Sequence, residues 1–249
     1  MRGHRARLAV AVLVATLALG ACGGSSGTGS TGNGPDPAAT PTTRDTAPNG
    51  VEAKSADEIL RTAAEAFRGA RSVRLVGRIA GGDESVDLDV RLGRDVSQGA
   101  LTQKGAKLEI IATGGNLYMR GRQFWVKNAP ASIASQVGDR WARLPVGGMR
   151  ESLTFKELVS LDSFAERGLK PSGKISKGPR GTVEGTKAIA LKDADGSLLW
   201  IAMTGPAYPL RIGSSPADGS QNSISFRDYD APLNVEAPAD SIDFNQVTG

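Results

Sequence analysis

Hydrophobic and polar positions fall into three regimes along the 249 residues. An apolar run covers Leu8 to Leu19, interrupted only by Thr16. Residues 23–54 then offer almost nothing to bury, and from Ser55 onward apolar positions recur periodically. The periodic part opens on a helix start: Ser55 and Glu58 have the spacing of a capping box, followed by Ile59, Leu60, Ala63, Ala64, Phe67 and Ala70 on one helical stripe. A helix over 55–70 is predicted.

The rhythm then changes to period two. Val73, Leu75 and Ile79 mark one strand, and Val86, Leu88, Val90 and Leu92 alternate with Asp87, Asp89 and Arg91 in the next, across a Gly81-Gly82-Asp83 turn. Further strands are predicted near 96–103, 106–112, 116–120 and 123–128, divided by glycines, and near 181–192, 197–204, 208–213 and 221–228. Short turns imply an antiparallel meander. Segments 129–137 and 153–168 read as helices. The expectation is an α+β domain of about ten antiparallel strands and about three helices, without internal repeats. So long a sheet, polar on one face and apolar on the other, must curl, with the helices on its concave face.

The first regime is a targeting segment. Arg2, Arg5 and Arg7 precede the apolar run, and Gly20 and Ala21 follow it. Twelve apolar residues make about 18 Å of helix, short of a bilayer core; an uncleaved anchor is the other reading. Leu19-Gly20-Ala21-Cys22 reads as a bacterial lipobox, in which the thiol takes a diacylglyceryl group and cleavage frees the cysteine's amine. Cys22 is the sole cysteine; a stray thiol or an intermolecular disulfide are its other readings. Two acyl chains, such as palmitate, anchor stably where one is marginal. Residues 1–21 are thus expected as signal peptide, 22–54 as lipidated cysteine plus flexible tether, and 55–249 as one domain. The tether's Gly, Ser, Thr and Pro content gives a root-mean-square span of about 31 Å, so the domain stays near the extracytoplasmic face of the cell membrane.

Charge adds little. Lys plus Arg total 30 against 26 acids, and three of those arginines leave with the leader, so the mature chain carries 27 against 26. A near-neutral surface offers no electrostatic case for nucleic acid. The one histidine, His4, also leaves. The mature domain therefore has neither a Ser-His-Asp triad, nor a Cys-His pair, nor a zinc site of nitrogen and sulfur ligands. No phosphate-cradling glycine motif is present, and neither an enzyme nor a cofactor is expected.

Two carboxylate groups remain: Glu84, Asp87 and Asp89, and Asp193 with Asp195. Acid–base work or calcium binding are the chemical readings; a solvated strand face and an Asp-rich turn are the plain ones. The apolar faces carry more information. Leu108, Ile110, Leu117, Met119, Trp200 and Met203 are the candidate ligand-binding residues, lining a gap between sheet and helices that suits an acyl chain. An ordinary filled core is the alternative.

The whole pattern resembles actinobacterial lipoproteins of the LppX/LprG type. The resemblance rests on the lipobox, the tether, SADEILRTAAEAFRGARSVRLVGRI, LYMRGRQFWVK with DRWARLP, YPLRI at 208–212, FRDYD at 226–230 and APADSIDF. It covers roughly residues 55–244. It implies a half-barrel of antiparallel strands closed by helices, similar to the LolA/LolB carriers, and a cavity that binds lipid or glycolipid for transport within the cell envelope. A surface-tethered module with a filled core that binds an envelope protein is the rival expectation.

Cys22→Ala should leave the protein unlipidated and free of the membrane fraction after salt and carbonate washing. A variant that still pellets would refute the anchoring argument.

Overall fold

The computed structural model describes residues 47–81, 84–145, 158, 160–214 and 222–248. Leu19, Gly20, Ala21 and Cys22 lie outside these residues, as do 153–157 and 159 of the expected 153–168 helix, whose described part is helical over Leu161–Arg167.

Helix α1 (Ala56–Gly69) forms where the capping box places it. The Ser55 hydroxyl accepts from the Glu58 N–H, and the Glu58 carboxylate accepts from the Ser55 N–H at 2.9 Å. Ile59, Ala63 and Phe67 form its buried stripe. Strands β1 (Ser72–Gly81), β2 (Glu84–Gly93), β3 (Ser97–Gln103), β4 (Ala106–Thr113) and β5 (Asn116–Arg120) follow as a meander. Then come α2 (Arg122–Asn128), α3 (Ala131–Val137), β6 (Trp141–Pro145) and α4 (Leu161–Arg167). The chain closes with β7 (Ser176–Val183), β8 (Thr186–Lys192), β9 (Leu198–Ala202), β10 (Pro209–Gly213), β11 (Ser223–Arg227), β12 (Ser241–Asp243) and α5 (Phe244–Thr248).

All twelve strands join one open, curved sheet in the order β12-β6-β5-β4-β3-β2-β1-β11-β10-β9-β8-β7. The mixed α+β class stands, but the sheet has twelve strands rather than about ten. Each neighbouring pair is antiparallel except β12 with β6, which is parallel. Register carries one apolar row across seven strands: Phe226, Leu75, Val90, Gly99, Ile110, Met119 and Ala142 are successive partners. These side chains join those of α1, α2, α3 and α4 in a single buried cluster. Residues one step along each strand point the other way, where Arg78 pairs with Asp87 and Arg74 with Asp89.

Glycine makes the bend possible. A Cβ on Gly99 would sit 2.3 Å from the Asp89 carbonyl oxygen, and one on Gly77 would sit 2.1 Å from that of Ser223. Neighbouring strands fold over these positions more closely than any side chain allows.

Three local expectations are corrected. Residues 123–128 are not a strand but belong to α2, which buries Trp125 and leaves Val126 64% exposed. A run as short as FWV has no decisive period, and the turn at Gly121 reverses the chain there. The segment 181–192 is a hairpin, split at Glu184 and Gly185, both with positive φ. Residues 47–54, assigned by composition to the tether, are held by the domain. Pro48 bridges Thr204, the Gly205 N–H donates to the Ala47 carbonyl at 2.9 Å, and the Asn49 amide donates to the carbonyls of Ala202 and Gly205. Val51, 1% exposed, follows as an apolar plug.

An aromatic cluster ties helices to sheet. Phe67 of α1 meets Phe164 of α4 at 5.8 Å, Phe226 of β11 at 5.9 Å and Tyr229 at 6.3 Å between centroids. Phe67→Ala should cost about 3–5 kcal/mol through the cavity it leaves. Urea unfolding at constant slope checks this; a loss under about 1 kcal/mol would show that the cluster is not the keystone.

Candidate ligand site

The candidate acidic clusters resolve into structure. Arg78 and Arg74 each grip a carboxylate through two nitrogens, Asp87 at 2.6 and 3.0 Å and Asp89 at 2.8 and 2.7 Å. These hydrogen bonds hold both carboxyls below the usual carboxylate range. An acid kept ionised by arginine is a poor proton donor. Glu84 stands at the start of β2, three register positions before the Arg78–Asp87 pair, opposite Gly81. Asp193 and Asp195 cap their own turn: the backbone N–H of Ala194 donates to Asp193, and that of Ser197 donates to Asp195. Among the described residues, no cluster of three or more His, Cys, Asp or Glu has the arrangement to hold a metal ion.

The apolar candidates divide. Leu108 and Ile110 of β4 and Leu117 and Met119 of β5 lie on the helix-covered face, each at most 4% exposed. Met203, just beyond β9, packs half-buried against the same cluster. Trp200 does not join them. It pairs with Ala190 and Arg211, while its neighbours Leu199 and Ile201 occupy the covered face. The indole lies on the outer face, across Gly181 of edge strand β7, where an added Cβ would meet the ring at 3.1 Å. Strand alternation puts Trp200 out because Ile201 is in; the WI pair alone leaves that choice open.

Sequence reasoning missed an apolar groove at the other half of the sheet. Leu60 of α1, and Leu169 and Ile175 from the linker after α4, form one wall; Leu191, Leu199 and Ile212 of β8, β9 and β10 form the other. Lys170, Asp193 and Ser197 stand at its mouth. The groove encloses about 40 Å³ of free space, slightly more than one water requires and far below a filled ligand pocket. Elsewhere on the covered side, Ser97 Oγ and Trp125 Nε1 are buried with no hydrogen-bond partner among the described residues. Each such atom costs about 1–3 kcal/mol until a partner reaches it.

The sequence echoes at 208–212 and 226–230 meet beside α1. Tyr208 and Tyr229 stack at 3.9 Å with planes 2° apart. The Tyr208 hydroxyl donates to Asp230 at 2.9 Å and that of Tyr229 to the Pro209 carbonyl at 2.7 Å. Burial, reinforced by Asp230, pushes Tyr208 up to about 12. The arrangement is architectural: it fixes the segment after β11 against β10.

No helix among the described residues is long and apolar enough to cross a membrane. Compared with known protein families and with curated proteins, the chain matches none.

The arginine ladder predicts a pH response. Asp87, Asp89 and Glu109 have folded-state values below their unfolded ones. Their stabilisation is complete above the unfolded values of about 4 and disappears as pH falls through the lowered range. The urea midpoint should therefore hold from neutral pH down to about pH 5 and drop below about pH 4. In an Asp87→Asn/Asp89→Asn variant the neutral midpoint should be lower and the acid limb flatter. An acid limb as steep as that of the unaltered chain would assign the drop to other groups.

Proposed function

We propose that this chain is a non-enzymatic, lipid-anchored lipoprotein of the LppX/LprG type on the extracytoplasmic face of the cell membrane. Its half-barrel, with helices on the concave face, binds acyl chains of lipids or glycolipids and carries or presents them within the cell envelope. The supporting observation is the groove between α1, the linker after α4 and strands β8 to β10: an aliphatic slot where helices meet sheet, polar only at its mouth. Each buried CH₂ contributes about 0.8 kcal/mol, so one long chain suffices for binding.

A second reading has its own observation. Leu108, Ile110, Leu117 and Met119 sit in a filled core, and the groove holds only about 40 Å³. A domain of that kind serves as a tethered protein-binding accessory module, and lipid uptake requires helices to move off the sheet.

Native mass spectrometry separates the two. The mature chain from Gly23, which keeps the 47–50 contacts, is purified from a bacterial host without detergent. Co-purifying lipid that leaves on denaturation is expected. A bare mass, unchanged after incubation with lipid vesicles, would transfer the assignment to the protein-binding module.

A further inference from the structure

One charged hydrogen bond joins the two walls beside the mouth of the groove. The linker after α4 runs from Gly168 to Ile175 and contributes Leu169 and Ile175 to the outer wall. The β8–β9 hairpin contributes the facing wall. Between them, the Ser172 N–H donates to the Asp193 carboxylate at 2.7 Å. The approach is tight: a Cβ on Gly173 would meet the Ala194 side chain at 2.9 Å. Asp193 is itself fixed, donating its N–H to the Ser197 carbonyl at 2.9 Å and accepting that of Gly196 on its own carbonyl. A rigid turn thus holds a carboxylate that clips a loop with little regular structure.

We propose that this groove is the acyl-chain site of the carrier, that Asp193 is its latch, and that Lys170 selects amphiphiles with an anionic head. The argument rests on the lipid-binding reading above. Six side chains, Leu60, Leu169, Ile175, Leu191, Leu199 and Ile212, give walls of methyl and methylene groups with no aromatic ring. Such walls match a single saturated chain better than a sterol or an aromatic group. The free space of about 40 Å³ is too small for a whole chain, so uptake requires the linker to lift. Lys170, exposed beside the mouth, supplies the positive charge; Asp193 is committed to backbone N–H groups. Breaking the Ser172–Asp193 bond releases the linker, a chain slides along the core face of β8 to β10, and the bond re-forms behind it.

The test uses the mature chain with Cys22→Ser and the fluorescent fatty acid cis-parinaric acid, followed by stopped flow. Asp193→Ala removes the acceptor and Ser172→Pro removes the donor, so both should speed uptake by about tenfold, the factor equivalent to ~1.4 kcal/mol of latch strength. Circular dichroism confirms that each variant is folded. Leu60→Trp fills the slot and should abolish binding. Lys170→Glu should weaken oleic acid at least several-fold and leave oleyl alcohol unchanged. Binding by the unaltered chain with no change of rate in either latch variant would overturn the latch. Undiminished binding by Leu60→Trp would overturn the site, and equal loss of acid and alcohol in Lys170→Glu would overturn the headgroup assignment. No binding by any form would sink the lipid reading itself.

Discussion

A twelve-stranded open sheet with an apolar face has no stability of its own until that face is covered. The ring contacts of Phe67 meet this constraint. One residue of α1, 0% exposed, touches α4 through Phe164, the sheet through Phe226 and the segment after β11 through Tyr229. Edge-on and tilted aromatic pairs add about 0.5–1.5 kcal/mol each beyond area burial. Because Phe164 and the Phe226–Tyr229 pair come from separate parts of the sequence, satisfying Phe67 gathers α4, β11 and the segment after β11 against one helix. The capping box at Ser55 then sets where that helix begins, and so which residues face inward.

Much of this was legible in the sequence, for identifiable physical reasons. The alternation from Val86 to Leu92 predicts β2 because each side chain there has an unambiguous environment. The Ser55–Glu58 pair predicts α1 because the cap is a local interaction. Strand β7 was harder: SKGPRGTV is largely exposed, at the edge of the sheet, and has no apolar face to betray it. Strand β12 is three residues long and pairs in parallel with β6, a non-local pairing that no periodicity encodes. The candidate ligand residues were half legible. Leu108, Ile110, Leu117 and Met119 reached the covered face through clean alternation, whereas LLWIA is apolar throughout, so nothing local decides that Trp200 turns outward. The groove was invisible because Leu60 of α1 lies more than a hundred positions from the residues it faces, and the linker residues Leu169 and Ile175 belong to no periodic element.

The outer face obeys different physics. Arg74, Arg78, Arg120 and Arg227 each meet a carboxylate on a neighbouring strand or turn, and Arg120 also lies over the Trp141 ring at 4.6 Å. Exposed pairs of this kind contribute little apiece. Their repetition nevertheless fixes register, since a one-residue slip would set apolar side chains against arginines. The same ladder keeps the broad outer surface hydrophilic.

The clasp at residues 47–50 has a mechanical consequence. Any pull applied to the chain before Ala47 meets first the hydrogen bonds among Ala47, Asn49, Met203 and Gly205, at the β9–β10 turn. Force is delivered there to the sheet, whose ladder resists it in shear. Helix α1 begins several residues farther on, behind Val51 and the Lys177 ammonium, which grips the carbonyls of Glu52 and Lys54. The helix forming one side of the groove is therefore strain-relieved, much as a cable clamped at its housing spares the soldered joint within.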